Sequence, residues 1–265
     1  MAMIKVFMII LLALFDAFLL NILIGHVAKK VFRRRFLANI GKSGYVCLTF
    51  DDGPNPASTP EILQILKQEG IKATFFLAGK NVEKYPHLTT QIVNEGHEIG
   101  QHGHWHIHPW KSWPFHSLVD LIEGARTVRQ HVSDKKSLLV RLPYGKLDLI
   151  TWFYVFFTRR QLAFWDVDPK DYVPQSADTI VKYVMAHIPA HTIILLHDGR
   201  WDSDATANAT VSAVSGILKE AKKHGLVFAT VSEALRDDSW KKPRAVEARK
   251  SRNKQRHDNY QHLHS

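Results

Sequence analysis

Asp51 and Asp52 stand side by side before Gly53-Pro54, at the end of an apolar, β-rich run. Adjacent carboxylates at a strand end point in different directions, so one can bind a metal while the other moves a proton. The same tetrapeptide is also what a solvated turn looks like. His102 and His106 lie four apart, a spacing that places both imidazoles on one side of a tight loop. His104 and His108 share that spacing among six histidines between His97 and His116, and the pattern alone does not choose between the pairs. Two histidines with one aspartate would leave coordination positions open, as hydrolytic metal sites require. Arg141 before Leu142-Pro143-Tyr144-Gly145, and His197 in Leu195-Leu196-His197-Asp198-Gly199, complete the set. Taken singly, Arg141 reads as a surface ion-pair partner, His197 as a core histidine and the lone Cys47 as a small buried hydrophobe.

Those residues matter only if a scaffold brings them together. Apolar runs predict seven strands, Tyr45–Phe50, Ala73–Leu77, Glu98–Gln101, Leu138–Leu142, Gln161–Val167, Thr192–Leu196 and Val227–Val231. Helices are expected between them at Pro60–Gln68, Asn81–Asn94, Phe115–His131, Leu147–Arg160, Ala177–His187 and Thr206–His224. Strands alternating with helices imply a parallel α/β architecture, closed or nearly closed into a barrel. Such barrels build their sites at strand C-termini, where five of the seven strands carry ionisable or turn-forming groups.

The chain has 265 residues, 45% hydrophobic and 23% charged, which excludes a wholly disordered chain, a collagen and a disulfide-stapled mini-protein. Its net charge of +10 resides in the flanks. Residues 1–42 hold seven Lys/Arg against one Asp, residues 237–265 eight against four acids, and the middle is balanced. A domain that steers nucleic acid is therefore not expected. Val6 to Ile24 is an apolar run interrupted by Asp16 and Asn21, long enough to span a bilayer, and a basic cluster follows it. Residues 1–36 are thus expected to form a transmembrane anchor separable from a catalytic domain at 43–236. The polar, basic 237–265 are expected to be a disordered tail.

Thr49–Pro54, His102…His106, Arg141–Gly145, Trp165–Tyr172 and Leu195–His197, in that order, resemble the five motifs of polysaccharide deacetylases. These are carbohydrate esterases of family four, with the NodB homology domain, and the likeness covers about residues 43–235. It implies a distorted seven-stranded parallel (β/α) barrel and a metal-dependent hydrolase that removes N-acetyl groups from N-acetylglucosamine-type polysaccharides: peptidoglycan, chitin-like polymers or poly-N-acetylglucosamine. By that resemblance Asp51 is the base, and Asp52, His102 and His106 hold a divalent ion, zinc first, with cobalt or another as alternatives. Arg141 orients Asp51 and keeps it ionised, and the Tyr144 amide serves an oxyanion hole. His197 is the acid, paired with Asp171, and Leu195, Trp165 and Pro143 line the substrate pocket. Three departures stand out: Gly103 where Ser or Thr is usual, Ile107 in place of Pro, and Tyr172 in place of Trp.

The implied partners are an N-acetylated polysaccharide and the membrane, with no nucleic acid. The implied location is a single-pass cell-membrane protein with its domain outside the cytoplasm, although Lys29, Lys30 and Arg33–Arg35 after the span favour the cytoplasmic side. Hydrolysis of another C–N amide on the same fold is one alternative. A non-catalytic glycan-binding module at the membrane is another, though a binder has no need of both Asp51 and His197.

Overall fold

The computed structural model describes residues 2–132, 138–188, 192–204 and 207–236. Its centre is a parallel sheet of β1 (Val46–Asp51), β2 (Thr74–Leu77), β3 (Glu98–Gln101) and β4 (Thr192–His197), in the order β3-β2-β1-β4. Almost every residue of these strands is buried, as expected of a sheet covered on both faces. The register sets Asp51 beside His197 and Leu77 beside Gln101, so the chemistry-bearing ends lie together. Phe50 and Phe75 stack in the main core with Leu48, Ile62, Leu63 and Leu66, the last three from α2 (Thr59–Glu69).

The other three expected strands meet the sheet through single bridges, for local reasons. Val140 bridges Gln101 on one side and Leu162 on the other, but Pro143 soon follows and has no N–H to continue a ladder. Val167 bridges Ile194. Just before it, the Asp166 carboxylate accepts from the Ile193 amide and the Thr192 hydroxyl, substituting a side chain for backbone pairing. Phe228 bridges Val46, and the segment then stops. Thr230 and Glu233 cap each other's amides, a Ser/Thr-x-x-Glu box that starts α9 (Val231–Arg236) where strand was expected.

The helices follow the periodicity with one break. The expected helix 81–94 is two, α3 (Gly79–Lys84) and α4 (Pro86–Asn94), because Pro86 forces Tyr85 out of helical geometry. α5 (Pro114–Val128), α6 (Leu149–Phe157), α7 (Ala177–His187) and α8 (Asn208–Lys223) complete the layer. The tail, 237–265, lies outside the described residues.

The N-terminal flank is one helix, α1 (Ala2–Ile40), and its two halves behave differently. Residues Met3 to Leu20 are almost wholly exposed, with an apolar composition that could cross a membrane. From Asn21 onward the helix packs on the domain. The Asn21 side chain accepts from the Leu149 amide at the start of α6. Gly25 lies so close to Leu147 and Asp148 that a Cβ would overlap their backbone. Arg33 donates to the Trp165 carbonyl, and Phe36 and Ile40 enter a second core with Val155, Leu162 and Phe164. The interruption at Asn21 is therefore a docking point, and residues 21–40 are an integral part of the packing rather than an appendage.

Truncation separates the halves. Removing residues 2–20 should leave the melting temperature nearly unchanged. Removing 2–36 should lower it by about 6–20 °C, since losing one buried Phe costs about 3–5 kcal/mol and each 1 kcal/mol is worth about 2–4 °C at this size. Thermal unfolding followed by circular dichroism compares the two, and equal melting points would show that α1 is dispensable to the fold.

Candidate active site

At the C-terminal end of β1, Asp51 and Asp52 diverge because Asp52 turns into the left-handed region at φ 72°. The Asn81 amide of α3 holds that turn through the Asp52 carbonyl at 2.8 Å. Asp198, wholly buried, lies where a Cβ on Gly53 would be, and its Oδ2 accepts the Thr59 hydroxyl at 2.6 Å. Only glycine permits that approach.

Arg141 is buried with no exposed surface and faces Asp51 at 2.7 Å. The same Nη1 donates to Thr49 at 2.7 Å, and its guanidinium lies 4.0 Å from the Phe76 ring centre. Burial raises the Asp51 carboxyl above its ordinary range, and Arg141 opposes that rise without cancelling it. Arg141 thus favours the ionised carboxylate, while desolvation is the larger effect.

His102 and His106 approach Asp52 from the loop after β3. Asp52 Oδ1 is 3.5 Å from His102 Nε2 and 3.4 Å from His106 Nε2. These three residues, all buried, form a cluster whose candidate donor atoms lie within 4.8 Å of one another. The Arg141 carbonyl stands 2.8 Å from His102 Nδ1, which fixes the proton there and turns the Nε2 lone pair toward Asp52. Burial lowers His102 to about 3 and lowers His106 as well, so both imidazoles are neutral. It raises Asp52 to about 7, and Asp52 Oδ1 finds no hydrogen-bond partner among the described residues. Three candidate donor atoms crowded together, one of them a buried carboxylate oxygen with no hydrogen-bond partner among the described residues, fit a divalent cation. His104 and His108 do not join them. His104 packs beneath Gly79 near Glu83, and His108 lies on the rim against Tyr144.

The loop's shape depends on a residue that the sequence did not single out. Asp120 of α5 is buried and accepts from the amides of His104, Trp105 and Ile107. Gly103, at φ 75°, is where a Cβ would strike the Asp120 carboxylate. The absent Ser or Thr at 103 thus makes room for Asp120.

On β4, His197 Nδ1 is 2.7 Å from Asp171, whose other oxygen accepts the His197 amide and the Thr210 hydroxyl, each at 2.8 Å. Burial alone would lower the imidazole, but Asp171, with Asp52 and Asp51 behind it, raises it to about 10. Tyr144 sits at φ 54° in a short 3-10 turn, and no acceptor for its amide occurs among the described residues. Leu195 and Trp165 line the cleft, about 860 Å³ in volume, with Asp51, Asp52, His102, His106 and His197. Pro143 does not. It is buried and its ring faces Gly103. Trp201, which nothing in the pattern marked, stacks on His106 at 5.3 Å. Cys47 is a buried strand residue whose thiol is pushed up by desolvation.

The family model described as polysaccharide deacetylase matches residues 38–155. A peptidoglycan-N-acetylglucosamine deacetylase of Bacillus cereus is 36% identical over 197 residues, covering 72% of this chain and 88% of that protein. The chain belongs to the polysaccharide deacetylase family. A chitooligosaccharide deacetylase of Bradyrhizobium is 33% identical over 204 residues, covering 72% of this chain and 91% of that one. Among solved structures, the peptidoglycan deacetylase PdaC of Bacillus subtilis superposes with a TM-score of 0.65 at 31% identity, covering 78% of this chain and 96% of that one. The family comprises metal-dependent deacetylases of carbohydrate esterase family 4, and this chain carries the Asp52, His102 and His106 cluster, a group that could hold such an ion.

The geometry sets a ranking for metal binding. His102→Ala and His106→Ala should abolish high-affinity binding of one zinc per chain, while His104→Ala and His108→Ala keep it. Asp120→Ala touches no ligand, yet it should weaken affinity about 10–100-fold by releasing the ligand loop. Zinc competition titration measures all five. Wild-type affinity in Asp120→Ala would show that the loop holds itself.

Proposed function

We propose that this chain is a membrane-anchored, zinc-dependent hydrolase that removes N-acetyl groups from N-acetylglucosamine-type glycans of the cell wall. The observation that carries the reading is two separately braced proton-transfer groups lining one cleft with a metal-type cluster. Asp51 is paired with Arg141 and His197 with Asp171, and Asp52, His102 and His106 line the same cleft. Each group has a role that its environment supports.

Asp52, His102 and His106 are the residues that would hold the ion. When bound, a divalent ion supplies Lewis acidity that polarises the amide carbonyl and eases loss of a proton from water. Asp51 accepts that proton, and Arg141 aims the carboxylate and favours its ionised form before the transfer. The Tyr144 amide, lacking another acceptor, donates to the oxygen on which negative charge grows. His197, held cationic by Asp171, donates to the departing nitrogen, so acetate and a free amine are the products. Leu195 and Trp165 supply an apolar wall for the acetyl methyl and the sugar face. The nearly neutral middle of the chain suits an uncharged acetylated sugar.

The single bridges at Val140, Leu162, Val167 and Phe228 support a distorted seven-stranded barrel, with 43–236 as the catalytic unit and the tail after it. The exposed half of α1 supports a single-pass anchor, and a cell-wall substrate favours a domain outside the cytoplasm.

Acetate release from peptidoglycan, chitin oligomers and poly-N-acetylglucosamine tests the reading. Asp51→Asn should cut the rate about 10²–10⁴-fold while zinc stays bound. The wild-type pH profile should be bell-shaped, its acid limb above the ordinary carboxylate range and its alkaline limb well above that of free imidazole, following the raised Asp51 and His197. Asp171→Asn removes the charge that raises His197, so its alkaline limb should move to lower pH. An alkaline limb unmoved in that variant would remove His197 from the acid role, and no acetate from any polymer would end the deacetylase reading.

A further inference from the structure

The course of α1 relative to the cleft is the feature that the proposed chemistry leaves unused. At Ile40 the helix meets the strand N-terminal end, where β1 begins a few residues later. At Gly25 it meets Leu147 and Asp148, and at His26 it meets the Trp110 ring at 6.2 Å. Trp110 is next to His108, and His108 is against Tyr144, whose ring packs on His106. The helix therefore climbs the barrel wall, about 22 Å over fifteen residues, and arrives at the rim of the cleft. Being one unbroken helix, it keeps that direction, and its exposed apolar half projects beyond the strand ends that carry the site.

A bilayer around that half would lie on the side onto which the cleft opens. The loop between β3 and α5, together with the first turn of α5, carries what such a position needs. Trp105, Trp113 and Phe115 are 43%, 75% and 64% exposed, in a segment that already touches α1 through Trp110. Ser117 binds the start of α5 to Asp148, where Gly25 packs, which holds Phe115 beside the exit of the helix. Lys146 lies over the Trp110 ring at 4.3 Å, and Lys29, Lys30 and Lys111 are close in sequence to these contacts. Exposed aromatics among lysines, at the end of an apolar helix, are the composition of a membrane–water interface. Large exposed apolar side chains gathered in one segment mark an interaction site.

We infer that the aromatic loop 105–115 is a second membrane contact, seated in the headgroup layer of the bilayer that holds α1, and that it turns the cleft toward N-acetylated sugars held at the membrane surface. This rests on the anchor and deacetylase reading above and narrows it. The substrate class becomes a glycan carried on a lipid or still attached to the membrane, presented from the bilayer side.

The full chain in phosphatidylcholine vesicles tests both levels. α1 has no tryptophan, so, with Trp240→Phe in the tail of every protein compared, quenching of tryptophan emission by acyl-brominated lipid reports on the domain alone. Wild type should float with the vesicles and be quenched. The double variant Trp113→Ser with Phe115→Ser should float equally well and lose most of the quenching. Its acetate release from an N-acetylglucosamine glycolipid in the same vesicles should fall about tenfold, the effect of losing roughly 1.4 kcal/mol of apolar contact. With soluble chitin oligomers it should stay within about twofold of wild type, since neither residue lines the cleft. Failure to float overturns the anchor and this inference with it. Flotation without quenching, unchanged quenching in the double variant, or equal losses on both substrates overturns the second contact and leaves the anchor and the deacetylase standing.

Discussion

Arg141 carries its charge with no contact to water, and Asp51 is the carboxylate that neutralises it. A buried cation without its partner costs several kcal/mol, so neither residue can move far without the other. That constraint spreads outward. Thr49, which accepts from Arg141, donates onward to the Ile194 carbonyl of the neighbouring strand. The Arg141 carbonyl faces His102 Nδ1 and sets which imidazole nitrogen faces Asp52. One ion pair thereby fixes the proposed base, the register of two strands around it and the tautomer of a proposed ligand.

The residues with chemical side chains were legible in the sequence because chemistry requires particular types at particular strand ends. Asp51, Asp52, Arg141 and His197 fall where alternating strands and helices place them, and the structure brings Asp51, Asp52 and His197 into one cleft with Arg141 buried behind Asp51. Choosing His102 and His106 over His104 and His108 needed the family likeness, since spacing four is the same for both. The loop's fold separates the pairs, and it depends on Asp120, which sits in a helix pattern with nothing local to mark it. Its signal was indirect: a glycine at 103 where a hydroxyl residue is usual. Trp201 and Asn81 act through space on His106 and Asp52 and leave no periodic trace.

The misread elements have similarly local causes. Val231 looked like the end of a strand by hydrophobicity, but Thr230 and Glu233 begin a helix there, a four-residue signature that was available in the sequence. Pro86 likewise marked the break between α3 and α4. The packing of Asn21 and Gly25 was not legible, because an apolar run reads alike whether its neighbour is lipid or protein. Only the partner, Leu147 to Leu149, distinguishes them, and it lies more than a hundred residues away.

Asp52, His106 and Tyr144 share a property independent of their side chains: each has φ between 54° and 72°. Holding a non-glycine residue there costs about 1–2 kcal/mol, offset only by what the side chain or its neighbours secure. Alanine at any of the three keeps that cost and removes the compensation, so an alanine scan would credit the lost function with a backbone penalty as well. Asparagine tolerates the left-handed region better than most residues, and glycine enters it freely. At Asp52, therefore, replacement by asparagine isolates the charge, replacement by glycine isolates the whole side chain, and the difference between either and alanine measures the torsional energy stored in the turn.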